Sequence, residues 1–432
     1  MFFGNKNTIA NKTNCLFEME MPNSRVYSNH SDSNSLVYPL CQFLIFIMVL
    51  RMAFFIRQRS NTEYNNVDAY NFVNIVVTFI IAAILLLKIY DVQLIFKQSN
   101  IVIKCITFYY TFCMIIGLLS PSPEYAIFRC LEFLMCFLAI MIIMSKYSDY
   151  FKAENIVLIW ITIILLIELS GHIRLSGWNA FHSTRYGVTA GILFMYSYGE
   201  LIIAKDRRKH ILLIFSIISG IAVFLSTSTG SILALLGGVI FLFLHNNSHR
   251  RYILVLLPFL VFLVGWNSFV GVILGGKTTE EVVSLGHRIG VWQSSWDLFV
   301  KNPFLGYGLN VATRRYGTLI NSHNAYIEAL LAGGMLGASI LFLGILMLLK
   351  DHLVSVKNKN IGSLGCCAAT IVYLINGISA PTIGYILTPH GIAYSFILFL
   401  FINNTRCFCK KPNVIHQDIA FPFEVYNCPS NE

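Results

Sequence analysis

Charge is scarce in this chain. Lys, Arg, Asp and Glu make up 12% of its 432 residues, about half the share of an ordinary soluble domain. Hydrophobic residues make up 56%, and mean hydropathy is +0.67. One soluble core cannot bury that much apolar surface, and lipid is its natural solvent. The first 35 residues lack an apolar run that would read as a cleavable signal. The first span is therefore expected to act as an internal start signal, with the tail before it in the cytoplasm. Also missing are a phosphate-binding Gly-rich loop ending in Lys-Ser/Thr, a His-Glu-x-x-His and a nucleophile elbow, which argues against ATP use and metal-dependent hydrolysis. No metal or cofactor is expected.

The eleven cysteines lie in apolar runs or in the terminal tails. None falls in a segment assigned to the outside, so a disulfide framework is not expected. Cys407-Phe408-Cys409 has no partner pair at zinc-site spacing. The net charge of +10 comes largely from short basic clusters between apolar runs, such as Lys205-Asp206-Arg207-Arg208-Lys209. That is the pattern of cytoplasmic loops and not of a nucleic-acid surface.

About 12 runs reach membrane-crossing length. Their cores are 36–56, 70–87, 101–119, 125–144, 156–170, 187–204, 211–226, 230–244, 253–270, 325–349, 361–380 and 391–403. The expected fold is all-α, a polytopic membrane helical bundle with one long extracytoplasmic loop containing short helices. Basic residues at 205–209, 249–251, 350–359 and 406–411 mark the cytoplasmic side and put both termini inside. Arg57 and Arg59 run against this and would snorkel or pair with Glu63 or Asp68. The domain plan is then a cytoplasmic tail (1–35), spans one to nine (36–270), a long outer loop (271–324), spans ten to twelve (325–403) and a second cytoplasmic tail (404–432). Segments 171–186, 227–230 and 381–390 also fall outside.

A loop as long as 271–324 without obvious structure is usually functional or disordered, and this one is rich in Trp, Phe, Leu and Val. Spacing predicts a helix over 287–300, with Ile289, Trp292, Trp296, Phe299 and Val300 on one face and Arg288, Gln293 and Asp297 off it. Asn302-Pro303 ends it, and the turn-rich Gly306-Tyr307-Gly308-Leu309-Asn310 follows. A short amphipathic helix with two Trp suits the membrane interface.

Candidate chemistry gathers in Arg288, Arg314, Arg315, His323, Asn324 and Glu328. Arginines on the outer face run against the inside bias, and guanidinium suits phosphate oxygens. A His at the membrane boundary can take a proton from a hydroxyl or hold it by hydrogen bond. Arginines binding lipid headgroups and a His acting as a polar cap explain the same residues. A second group, Arg174, Trp178, His182 and Arg185, reads equally as an aromatic belt with snorkelling arginines. The hydroxyl-rich run from Leu225 to Ser231 could line a polar cavity or cap helix ends. Within the apolar runs, Arg129 and Glu132 are three apart and are expected to pair, Glu168 and Glu200 are further buried charges, and Gly333 and Gly337 form a close-packing pattern.

Read together, His287-Arg288-Ile289-Gly290-Val291-Trp292, Asn302-Pro303-Phe304-Leu305-Gly306-Tyr307-Gly308, Ser322-His323-Asn324-Ala325-Tyr326-Ile327-Glu328 and Gly333-Gly334-Met335-Leu336-Gly337 resemble the signature of the O-antigen ligase and O-antigen polymerase family. Its parts are an Arg before a Trp-bearing helix, a Pro-x-x-Gly-x-Gly turn, a His-Asn pair leading into a span, and a Gly-x-x-Gly. All occur here in order, over residues 287–337.

The resemblance implies a glycosyltransferase of the bacterial inner (cytoplasmic) membrane. Such enzymes move a glycan from an undecaprenyl diphosphate carrier to an acceptor hydroxyl at the outer face, without nucleotide sugar or required metal. By motif match, Arg288 would hold the diphosphate, His323 would activate or orient the acceptor, and Asn324 would support it. Arg314, Arg315, Arg174, Arg185, Glu328 and Trp292 are candidate substrate contacts. One departure stands out. Many members carry Ser-Arg-Gly in the hydroxyl-rich turn, where this chain has Ser228-Thr229-Gly230.

The expected activity is polymerisation of lipid-linked repeat units of O-antigen, capsule or a similar surface glycan. The sister reading is a ligase transferring glycan to lipid A-core or protein, and a polysaccharide transporter is the remoter rival. Expected partners are the lipid-linked oligosaccharide, the glycan acceptor, the bilayer and a chain-length regulator, with no nucleic acid.

Overall fold

The computed structural model describes residues 36–54, 69–176, 184–226, 228–245, 288–312 and 322–409. Among these the regular structure is helical throughout, with no strand. The helices are α1 (Val37–Phe54), α2 (Ala69–Leu87), α3 (Ile89–Lys97), α4 (Ile101–Gly117), α5 (Pro123–Ser145), α6 (Tyr150–Ser176), α7 (Thr184–Leu201), α8 (Asp206–Leu225), α9 (Thr229–His245), α10 (Arg288–Lys301), α11 (Ala325–Lys357), α12 (Ser363–Asn376) and α13 (Pro389–Cys409).

Four stretches are each long and apolar enough to cross a membrane: Pro123–Ser145, Tyr150–Ile173, Arg207–Leu225 and Ala325–Lys357. A fifth arises if Phe72–Leu87 and Ile89–Lys97, bent by 79° at Lys88, form one broken span. Val37–Met52, Ile101–Gly117, Thr229–His245 and Ser363–Asn376 are shorter apolar helices. The chain is a multi-pass membrane protein. The run at 253–270 lies outside the described residues. The sequence reading places no element at 89–97, where six hydrophobic residues and two charges form α3.

The bundle has two chemically distinct ends, and α12 runs between them. At its start, the Glu200 carboxylate accepts the amides of Gly362 (3.1 Å) and Gly365 (2.9 Å). Arg208 pairs there with both Glu154 and Glu200, each at 2.7 Å. At the other end of α12, the Gly377 carbonyl accepts from the Ala325 amide of α11 at 2.8 Å. Between the ends, large side chains such as Tyr109, Tyr110, Phe137, Tyr196 and Phe396 fill the core.

Close packing depends on small residues. A Cβ on Gly333, Gly337 or Gly344 of α11 would come within 3.2 Å of side chains of α4. The expected Gly333/Gly337 pattern is therefore a packing seam, and it extends to Gly344. The expected ion pair also forms: Arg129 Nη1 lies 2.7 Å from Glu132 Oε2. The other oxygen of Glu132 accepts from the Asn74 amide, and Arg129 lies over the Tyr125 ring. A buried pair with added hydrogen bonds offsets the cost of desolvation.

The sequence reading took 325–349 as one continuous span. Instead α11 breaks at Gly334, whose φ of 59° and ψ of −165° lie outside helical space. The turn after α10 fills the break. Tyr307 and Gly308 donate their amides to the carbonyls of Leu331 and Ala332 at 2.8 and 3.0 Å, while Met335 and Leu336 donate theirs to the carbonyls of Pro303 and Phe304 at 2.7 and 3.3 Å. The backbone groups freed by breaking a membrane helix must find partners within the protein, and residues 303–308 supply them. Gly306 sits so close that its Cβ would lie 2.6 Å from Gly334 N. Its φ of 73° would strain any other residue.

Candidate functional site at the start of α11

Asn324 is the N-cap of α11. It takes an extended conformation, and its Oδ1 accepts the amides of Tyr326 at 3.0 Å and Ile327 at 3.2 Å. Ser322 locks the approach to it: its Oγ accepts from the Asn324 amide and donates to the Asn324 carbonyl. One turn into the helix, Glu328 reaches back and accepts the Ser322 amide at 3.2 Å. Ser322, Asn324 and Glu328 are buried, whereas His323 between them is exposed. His323 has a φ of 51°, a left-handed conformation uncommon outside glycine. The flanking hydrogen bonds hold it there, with its imidazole presented at the surface.

Helix α10 is fastened to this segment. Trp292 donates its indole N–H to the Ser322 carbonyl at 2.8 Å. Arg288 begins the helix one turn before Trp292, and residues four apart share a helix face, about 5–6 Å between Cβ atoms. Arg288 is half-buried and has no acidic partner among the described residues. Partial burial lowers its pKa below the ordinary guanidinium value. An Arg kept partly from water and without a carboxylate is suited to an anion brought from outside.

The face of α10 that packs inward carries Ser295, Leu298 and Phe299, with Tyr307 closing over it by donating its hydroxyl to the Leu298 carbonyl. The apolar stripe read from the sequence divides accordingly. Phe299 faces in, while Ile289, Trp296 and Val300 are at least half exposed. That exposed stripe continues through Phe304 and Leu305 to Met335 and Leu336 beside the break in α11.

The structure thus brings Arg288, Trp292, His323, Asn324 and Glu328 to one place. Glu328 and Asn324 are turned to the backbone, so they shape the site and do not line its surface. Arg314, Arg315, Trp178 and His182 lie outside the described residues, as do the side chains of Arg174 and Arg185. The hydroxyl-rich run acts as a cap: Ser228 Oγ accepts the Ser231 amide, and Ser226 Oγ donates to the Val223 carbonyl at 2.6 Å. No group of three or more potential metal ligands occurs among the described residues.

Sequence reasoning missed Asn310. It is buried, with a φ of 59°, and joins three elements by donating to Tyr125 at 2.9 Å and accepting from Tyr385 at 3.2 Å. The signal available was the turn-forming Gly308-Leu309-Asn310, which marks a left-handed residue without naming its partners.

Residues 214–342 match the family model for O-antigen ligase, under a third of the chain. This segment is similar to the O-antigen ligase family. It contains the whole signature read from the sequence, together with the second half of α8, α9, α10 and the broken part of α11. The similarity to the O-antigen ligase family thus covers the residues that build the site. None of the curated proteins matches the chain.

Proposed function

We propose that the chain is a polymerase of surface glycans, joining undecaprenyl diphosphate-linked repeat units at the outer face of the bacterial inner membrane. The observation that carries the reading is Arg288, a half-buried guanidinium without a carboxylate, one helical turn from the residue that fastens His323. Displacing a lipid diphosphate develops negative charge on the leaving group, and a fixed guanidinium in a water-poor site stabilises it.

In this reading Arg288 binds the diphosphate and His323 takes the proton of, or orients, the acceptor hydroxyl. The cap of Asn324 and Glu328 holds His323 in place. The exposed stripe of Ile289, Trp296 and Val300 gives the carrier lipid an apolar path from the bilayer. Arg314, Arg315, Arg174 and Arg185 remain further candidate contacts for the diphosphate. Both termini are assigned to the cytoplasm, and a chain-length regulator is the expected protein partner.

The test is the glycan ladder of cells carrying single variants at normal protein levels. Arg288→Ala and His323→Ala are expected to abolish long chains while leaving a single repeat on the acceptor. Arg288→Lys should recover little, because an ammonium lacks the guanidinium fork. Full-length glycan from both Ala variants would overturn the enzymatic reading. A bare acceptor with lipid-linked polymer accumulating would replace polymerase with ligase.

A further inference from the structure

The helical bundle holds a buried polar pair that the mechanism above does not use. Glu168 of α6 and His390 of α13 face each other, with His390 Nδ1 3.9 Å from Glu168 Oε1. Both residues are at least 95% buried. The other oxygen of Glu168 accepts the Thr189 hydroxyl of α7. The other nitrogen of His390, Nε2, lies 2.5 Å from the Pro381 carbonyl. The two facing atoms, Glu168 Oε1 and His390 Nδ1, have no hydrogen-bond partner among the described residues.

The chemistry of these contacts fixes a proton count. A carbonyl only accepts, so His390 Nε2 carries a hydrogen. Nδ1 of a neutral ring would then present a lone pair to a carboxylate oxygen. Two buried acceptors without a donor between them are costly. One proton on either Nδ1 or Oε1 removes the conflict.

The pair also reaches the start of α11. Pro381, which His390 holds, precedes Thr382, and a Cβ on Gly377 would lie 2.6 Å from the Thr382 hydroxyl. The Gly377 carbonyl accepts the Ala325 amide, two residues after His323. The connection between α12 and α13 is thus braced on α11 at one side and on Glu168 and His390 at the other.

We propose that Glu168 and His390 share one proton, and that this pair is a positioning element which holds the α12–α13 connection against the His323 segment. The positioning half rests on the glycosyl-transfer reading; the proton half does not. Glutamine at 168 can donate to Nδ1 and still accept from Thr189, whereas leucine can do neither.

The experiment uses full-length protein with 15N-labelled histidine in lipid nanodiscs, with the His390 signal assigned from His390→Asn. Wild type and Glu168→Gln should both show a protonated Nε2 and a protonated or hydrogen-bonded Nδ1. Glu168→Leu should lose the hydrogen-bonded Nδ1 signature. In parallel, Glu168→Gln should retain glycan polymerisation, and Glu168→Leu should lower it at least tenfold at equal protein level. A bare Nε2, or a signal unchanged in Glu168→Leu, would overturn the shared proton. Full polymerisation by Glu168→Leu would overturn the positioning role. If Arg288→Ala and His323→Ala stay active while the wild-type signature is present, the functional reading and the positioning role fail and the shared proton stands.

Discussion

The indole N–H of Trp292 meets the carbonyl of Ser322 at 2.8 Å, and that bond ties α10 to the residues leading into α11. Ser322 is fully buried. Trp292→Phe keeps an aromatic ring and removes the donor, leaving a buried carbonyl short of a partner at a cost of about 1–3 kcal/mol. The variant should fold, melt a few degrees lower in a thermal assay, and make shorter or fewer glycan chains, because Arg288 and His323 lose their common anchor.

The cap can be separated from the chemistry by substitution at Asn324. Alanine removes the acceptor for the amides of Tyr326 and Ile327 and should cost about 1–2 kcal/mol of stability. Aspartate retains a cap acceptor and should restore the melting temperature. If Asn324→Ala melts like wild type, the cap does not hold the segment as described.

Two glycines on neighbouring elements should respond in opposite ways to alanine. At Gly334 an added Cβ would lie 2.2 Å from the Phe304 carbonyl oxygen, a backbone atom that cannot swing aside, and φ is positive. Gly334→Ala should prevent stable accumulation, measured as folded protein extracted from membranes. At Gly290 nothing lies within 4 Å of the added atom. Gly290→Ala should be neutral or stabilising, by up to about 1 kcal/mol of helix propensity.

The buried pair of Arg129 and Glu132 should show the asymmetry of charges in a low-dielectric interior. Arg129→Ala leaves Glu132 fully buried and short of its cation, for which about 3–5 kcal/mol of destabilisation is expected. Replacing both residues with leucine should recover most of the loss, since neither desolvated charge remains. Equal melting temperatures for the single and double variants would contradict this account.

The sequence made the site partly legible. Arg288, Trp292, His323 and Asn324 announce themselves because local rules govern them: a helical period, a capping residue, a turn that ends a helix. The helical class followed from apolar run length alone. What stayed hidden is pairing across distance. Nothing in the spacing of Pro303 to Gly308 says that these residues fill a break at Gly334, because backbone hydrogen bonds between distant segments leave no periodic trace. The same holds for Asn310 with Tyr125 and Tyr385, and for Glu168 with His390. A glutamate within an apolar run marks a cost to be met, and only the fold shows which residue meets it. Of the loop read at 271–324, residues 271–287 and 313–321 lie outside the described residues.

The interlock of residues 303–308 with broken α11 bears on how such a protein can diversify. Its hydrogen bonds run from main chain to main chain and ask little of the side chains beyond the glycines. Side chains at exposed positions such as Ile289, Trp296 and Phe304 can therefore be exchanged with little penalty to the frame that carries them. Under the proposed function, a change of glycan calls for new side chains on an old chassis, with Arg288 and His323 kept in register throughout.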